Sequence, residues 1–240
     1  MILKRVFGRR TTPPVQQNVV SGLPTQPDCY GGDVELDMKQ VAAYANAMAR
    51  HRGYPEDTAA MIARRVVFLE RRNLAGLANL HREVDLFHNE PLTSRFNLRR
   101  PDGSEGRHCP FYAGIDLESS FDRLTSVTPG DRVWTPAPSN ALLLVPKLAE
   151  WLRPTGRRAI FWWGKEKEVP GFIVVEGFRL DCYAKAERWE AFDKLQRADH
   201  IGFSDCPDDF EPAPQPRSGF CEKVTLQLRH VAMMEDYLRS

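Results

Sequence analysis

This sequence lacks a large excess of charge of either sign. Its 240 residues include 33 lysines and arginines against 32 aspartates and glutamates. A protein that wraps nucleic acid needs clustered positive charge, so the balance argues against a nucleic-acid partner. The chain also has no run of 18 uncharged apolar residues, the length that a membrane-spanning helix needs. The sequence therefore predicts neither a nucleic-acid nor a membrane partner.

Cysteine is sparse, and its spacing does not indicate a metal site. The five cysteines are an odd number and include no C-x-x-C pair, whereas zinc sites built from cysteine usually contain such close pairs. Isolated thiols are typical of a reducing compartment. The basic first ten residues also lack a following apolar signal core. We therefore expect a cytoplasmic protein without a metal site.

The sequence motifs of common enzyme classes are missing. There is no G-x-S-x-G, no H-E-x-x-H, no Walker phosphate loop and no G-x-G-x-x-G after a strand. Enzyme sites can also assemble from scattered residues. The absence of these motifs therefore favours a non-catalytic protein and leaves an enzyme as the alternative.

Composition divides the chain into three parts. Residues 1–30 are predicted to be a disordered tail, because the segment from Thr11 to Pro27 has four prolines and no charge. Residues 31–90 carry helical periodicity, and residues 91–240 carry the signals of an α/β region. We expect the helical unit and the α/β region to form one compact domain.

Three helices are predicted in the helical unit. Asp37 is a good N-cap for the first helix, and Gly53 can end it in the left-handed conformation. Pro55 suits the first turn of the second helix, and a break from Asn73 to Gly76 precedes the third. The apolar stripes of the three helices are Met38, Val41, Ala45 and Met48; Ala59, Ile62, Val66 and Leu69; and Leu77, Leu80, Val84 and Phe87.

The α/β region is predicted to contain a small mixed sheet with flanking helices. Residues 141–145 form a short apolar run, Pro146 can open a helix, and residues 160–163 form a second apolar run. A strand, a helix and a strand in this order favour a parallel pair. A further helix is predicted over residues 186–196. The expected fold class is α+β or α/β, with the N-terminal helical unit packed on the sheet.

An arginine-rich segment gives the leading candidate site. Guanidinium groups grip carboxylates and phosphates through paired hydrogen bonds, so the segment indicates an anionic ligand or an acidic partner protein. A solvated basic loop is the alternative interpretation. The candidate ligand-binding residues are Arg95, Arg99, Arg100, Arg107 and His108.

The enzyme alternative depends on two other groups of residues. Cys109 follows His108 in a basic setting, which favours the reactive thiolate form. The oxygen donors of an acidic segment could hold a magnesium or calcium ion, although their spacing does not match that of a calcium loop. That segment contains Asp199, His200, Asp205, Cys206, Asp208, Asp209 and Glu211.

Two further pairs of residues have ordinary structural interpretations. His81 and His88 stand seven residues apart on the predicted third helix, roughly 10 Å along its axis. That separation is too large for both to ligate one metal ion. Trp162 and Trp163 lie in a predicted strand, where they either pack in the core or line a pocket.

The helical unit resembles the opening of an uncharacterised bacterial family known as domain of unknown function 3726. The resemblance rests on a Gly53-Tyr54-Pro55 junction between two helices and on Gly76-Leu77 after the second. It extends over about residues 35–210, because an apolar strand running into a proline-started helix also follows in that family. The resemblance implies no activity, since none is established for the family. It implies only a bacterial origin and a similar order of elements.

Overall fold

A computed structural model of the chain describes residues 33–86, 110–111, 133–136, 140–164, 171–184, 200–206 and 222–239. The elements in this part are β1 (Asp33–Asp37), α1 (Met38–His51), α2 (Glu56–Glu70), α3 (Gly76–Leu86), β2 (Val133–Pro136), a 3₁₀ helix (Ala141–Leu144), α4 (Val145–Leu152), a second 3₁₀ helix (Arg153–Thr155), β3 (Arg158–Gly164), β4 (Gly171–Glu176), β5 (Arg179–Ala184), β6 (His200–Asp205), β7 (Lys223–Gln227) and α5 (Leu228–Arg239). The mixture of helices and antiparallel sheets confirms an α+β fold.

The first helix begins and ends where the sequence predicts. The Asp37 carboxylate accepts hydrogen bonds from the backbone N–H groups of Lys39 and Gln40, both at 2.8 Å. The Gln40 side chain accepts the N–H of Asp37 at 2.9 Å, which completes a capping box. After the helix, Gly53 has a φ of 97°, a left-handed conformation that favours glycine.

The second and third helices meet at a tight junction. Asn73 has a φ of 56° and turns the chain between them. Gly76 then starts α3 so close to α2 that a Cβ atom there would lie 2.8 Å from the carbonyl oxygen of Val66. The Glu70 carboxylate lies inside this junction and accepts the N–H of Leu77 at 2.7 Å. The absence of a side chain at position 76 therefore permits the packing that buries Glu70.

A two-stranded sheet joins the two ends of the described chain. β1 pairs with β7 in antiparallel fashion, with Val34 opposite Leu226. The pairing carries α5 onto α1, where the Tyr44 hydroxyl donates a hydrogen bond to Glu235 at 3.0 Å. Burial, followed by the charge of Glu235, raises the pKa of Tyr44. The helical unit is therefore completed by residues from the far end of the sequence.

The second sheet has five strands in the order β2-β6-β3-β4-β5, and each described pairing in it is antiparallel. The predicted parallel pair is therefore wrong. Residues 141–144 form a 3₁₀ helix that continues into α4, with Pro146 in its first turn. All four of these apolar residues are buried, and a short buried apolar run satisfies a helical turn as well as a strand.

One apolar core joins the helices to one face of the five-stranded sheet. Polar contacts link the helical elements beside this core: Arg65 bonds the half-exposed Glu150 at 3.0 Å, and the Asn140 amide donates to the buried Glu83 at 2.6 Å. None of the helices in the described part is long and apolar enough to cross a membrane. The three-part division into tail, helical unit and α/β region stays a prediction, and residues 1–30 and 186–196 lie outside the described residues.

Candidate functional site

The arginine segment that the sequence singles out is not part of the described chain. All five predicted ligand-binding residues lie outside it, namely Arg95, Arg99, Arg100, Arg107 and His108. Cys109, His88 and Asp199 lie outside it too, and so do the acidic residues after position 206. The anion site in the arginine segment therefore stays a prediction.

The remaining sequence candidates lie partly on described elements. His200 and Asp205 are the first and last residues of β6, and Cys206 follows as a buried thiol. Within the described ranges, no three histidine, cysteine, aspartate or glutamate side chains are grouped to hold a metal ion. Trp162 is buried in a small apolar cluster, with its ring centroid 6.5 Å from that of Phe172. It therefore has a packing role.

A groove with a volume of about 790 Å³ runs along the outer side of the α1–α2 pair, and we call it the basic groove. Its lining comes from α1, α2 and Phe178, which lies in the turn between β4 and β5. Most of its floor is made of small or apolar side chains. These are Met38, Ala42, Ala43, Ala60, Ala63, Val67 and Phe68.

Four basic residues border the basic groove. Lys39, Arg64 and Arg71 are exposed, and Arg72 is half-buried. No acidic residue of the described chain lines the groove. A short turn joins α1 to α2, so the two helices run in opposite directions, and the start of α1 with Lys39 lies near the end of α2 with Arg71 and Arg72. Positive charge is therefore concentrated at one end, with Arg64 farther along.

Arg72 fixes the wall of this groove. Its Nε atom donates to the carbonyl oxygen of Phe178 at 2.9 Å, and its Nη2 atom donates to the same oxygen. Its Nη1 atom donates to the carbonyl oxygen of Phe68 at 2.8 Å, and the guanidinium carbon lies 3.7 Å from the centroid of the Phe68 ring. Burial, with a further contribution from Arg71, lowers the pKa of Arg72. These contacts hold the β4–β5 turn against α2 and leave Phe178 45 % exposed at the groove.

A second concave site lies where α1, α3 and α5 meet, and we call it the histidine cleft. Its volume is about 640 Å³. The ring centroids of His51 and His81 lie 4.8 Å and 6.1 Å from that of Tyr237, in edge-to-face arrangements. The remaining lining residues are Arg52, Asp85, Met233 and Asp236. The cleft thus gathers two imidazoles, a phenol and two carboxylates, the groups that general acid–base chemistry uses.

Neither concave site is evident in the sequence. Arg64, Arg71 and Arg72 have the seven- and eight-residue spacing of one helical face, which is usually a solvated face. The alanines of the floor give a groove only when α1 and α2 pack side by side. His51 and Tyr237 belong to opposite ends of the chain, and only the β1–β7 pairing brings their helices together.

No protein-family model matches this chain, and no curated protein or solved structure matches it. The resemblance to domain of unknown function 3726 therefore stays a prediction.

Proposed function

We propose that this chain is a non-catalytic binding protein of the bacterial cytoplasm, whose ligand is an anion with an apolar part. One observation carries the proposal, namely the lining of the basic groove. In the described chain, four cations and no carboxylate border a floor made mostly of alanine, methionine, valine and phenylalanine side chains. Lysine and arginine attract carboxylate and phosphate, and the floor removes apolar surface from water.

Tight binding in the basic groove requires both the anionic part and the apolar part of the ligand. An exposed ion pair contributes only about 0–1 kcal/mol, because water and salt screen it. Buried apolar surface adds about 25 cal/mol per Å². A small anion such as acetate uses only the first contribution, whereas an anion with an alkyl chain uses both. The proposal therefore predicts preferential binding of amphiphilic anions.

Isothermal titration calorimetry tests this preference. The ligands are decanoate and octyl phosphate, with acetate, inorganic phosphate and decyltrimethylammonium as controls, all below their micelle concentrations. We expect the two anionic amphiphiles to bind at least tenfold more tightly than the three controls. Equal binding of decanoate and decyltrimethylammonium would contradict the proposal, because the rim charge would then have no effect.

Variants of the chain locate the site. Lys39→Gln with Arg64→Gln removes two exposed rim charges, and Arg50→Gln is the matched control because Arg50 is an exposed α1 residue outside the groove. We expect the double variant to weaken decanoate binding and the control to leave it unchanged. Arg99→Gln with Arg100→Gln tests the arginine segment in the same titration. A loss in that variant alone would move the anion site to that segment.

The proposed compartment is supported by the cysteines. Cys182 and Cys206 are buried and present as thiols rather than as a disulfide. Buried thiols of this kind are typical of proteins in a reducing compartment. The proposed bacterial origin follows from the resemblance to domain of unknown function 3726.

The histidine cleft is the observation that favours a second candidate, an enzyme with a site assembled from scattered residues. Imidazole exchanges protons near neutral pH, and the two rings flank the same tyrosine. The corresponding reaction class is hydrolysis by general acid–base catalysis. Hydrolysis of p-nitrophenyl acetate or p-nitrophenyl phosphate that is lost in His51→Gln and retained in Arg50→Gln would support it. Equal rates in both variants would remove the cleft from consideration.

A further inference from the structure

We propose that the occupant of the basic groove is an acidic amphipathic helix of a partner protein. This inference rests on the proposed function, because it uses the same groove and the same rim charges. It adds the class of ligand, a helix that presents an apolar stripe flanked by carboxylates.

The shape of the groove favours a helix over a small molecule. In the described chain, two neighbouring helices form its floor, the turn that holds Phe178 forms one wall, and the side facing away from the helices is open. Pockets for small ligands bury most of the ligand surface, which an open groove does not do. A helix needs only one apolar stripe buried and keeps its other face in water. The open side of the groove therefore matches the exposed side of a docked helix.

The floor allows a helix to approach closely. Ala43 and Ala60 line it from α1 and α2, and their small side chains leave room for the apolar anchors of a third helix. The lining extends along α2 from Ala60 to Arg71, roughly 17 Å at 1.5 Å per residue. This length corresponds to three turns of a docked helix, enough for apolar anchors at positions i, i+3, i+4 and i+7.

Charge complementarity indicates that the partner helix is negatively charged. Lys39 and Arg64 are exposed along the rim, and no carboxylate of the described chain lines the groove. An acidic helix would pair with these cations, whereas a basic helix would be repelled. Lys39 and Arg71 share one end, which favours the negative C-terminal end of the docked helix there.

The test uses a designed 16-residue helical peptide, capped at both ends, with leucine at positions i, i+3, i+4 and i+7 and glutamate beside them. A second peptide has lysine at every glutamate position. Fluorescence anisotropy with the full chain should show binding of the glutamate peptide at least tenfold tighter than that of the lysine peptide. Equal binding of the two peptides, or no binding of either, would overturn the inference.

Charge reversal in the protein sharpens the test. Lys39→Glu with Arg64→Glu should weaken the glutamate peptide about tenfold and strengthen the lysine peptide. Arg50→Glu is the control and should change neither affinity by more than about twofold. Ala43→Trp fills the floor and should abolish binding of the glutamate peptide. Because Lys39, Ala43 and Arg64 are exposed, an unchanged circular dichroism spectrum is expected for each variant.

The outcomes separate this inference from the proposed function. Binding of decanoate without binding of the glutamate peptide would leave the proposed function in place and overturn the helix. Binding of neither probe would overturn both. Glutamate-peptide binding that survives Lys39→Glu with Arg64→Glu would also overturn the inference, because the peptide would then bind elsewhere.

Discussion

The helical unit and the five-stranded sheet both bury carboxylates but give them different partners. Inside the helical unit, Glu70 is 5 % exposed and Glu83 is fully buried. Glu70 accepts a backbone N–H and Glu83 accepts an amide N–H, both from neutral groups. In the sheet, Asp181 is 6 % exposed, and it has an ion pair with the charged Arg179, whose Nε lies 2.9 Å from the Asp181 Oδ2. This pairing follows from geometry, because alternate residues of a strand point to the same face.

The contrast extends to the sensitivity of each region to pH. Burial raises the pKa of Glu70 to about 7, although two backbone hydrogen bonds, from Leu77 and Gly76, act in the opposite direction. The carboxylate at the α2–α3 junction therefore changes its charge near neutral pH. In the sheet, by contrast, the positive charge of Arg179 lies beside the buried Asp181. We accordingly expect the helical unit to set the pH dependence of the stability.

The first prediction concerns Phe161→Ala, which tests whether the two regions unfold together and for which we expect the greatest loss of stability. Phe161 is fully buried in the core that the helices and the sheet share. Phe161→Ala should lower the free energy of unfolding by about 3–5 kcal/mol, because it leaves a cavity. Urea denaturation followed by far-ultraviolet circular dichroism and by tryptophan fluorescence should show one coincident transition. Two separate transitions, only one of them shifted, would show that the regions unfold independently.

The second prediction concerns Glu70. Its pKa in the folded chain lies above the ordinary value of 4.5, so the folded state binds this proton more tightly than the unfolded state. The contribution of Glu70 to the stability is therefore greatest below about pH 4.5, and it is lost as the pH rises through about 7. The expected loss is about 3 kcal/mol.

Glu70→Gln should remove this loss, because the amide oxygen still accepts the N–H of Leu77 and carries no charge. Denaturant midpoints between pH 5 and pH 8 measure the difference from the native chain. Glu56→Gln, at the exposed start of α2, is the control and should keep the native pH dependence. A Glu70→Gln curve parallel to the native curve would contradict the prediction.

The third prediction concerns the backbone between α1 and α2. Gly53→Val should lower the free energy of unfolding by about 1 kcal/mol or more, because a β-branched residue is strained at a φ of 97°. Gly53→Ala should have a smaller effect of the same sign. Thermal denaturation of both variants measures the shift. An unchanged midpoint in Gly53→Val would show that the turn relaxes to another conformation.

The fourth prediction concerns an ion pair on the two-stranded sheet, for which we expect the least change in stability. Lys223 Nζ and Glu35 Oε2 are 3.0 Å apart, and both side chains are more than half exposed. Lys223→Gln should change the stability by less than about 1 kcal/mol, because solvent screens the pair. A larger loss in denaturant unfolding would mean that this pair anchors the β1–β7 pairing.

Local signals in the sequence were enough to locate the helices. The N-cap Asp37, the left-handed Gly53 and the proline-started α4 are all confirmed, as is strand β3. Each depends on a few neighbouring residues whose preferred backbone angles and hydrogen bonds do not require the rest of the chain. The error at residues 141–144 has the same origin, since a short apolar run carries no period that separates a strand from a helical turn.

The N-terminal trio of amphipathic helices and a fold that mixes helices with strands were both evident in the sequence, which left α+β and α/β open. The antiparallel sheet pairings, the pairing of β1 with β7 and the two concave sites described above become evident only in the folded chain. The basic groove depends on which faces of α1 and α2 are left outward after packing, and the histidine cleft depends on residues nearly two hundred positions apart. Contacts between distant residues leave no local periodicity, so they become visible only when the chain is folded.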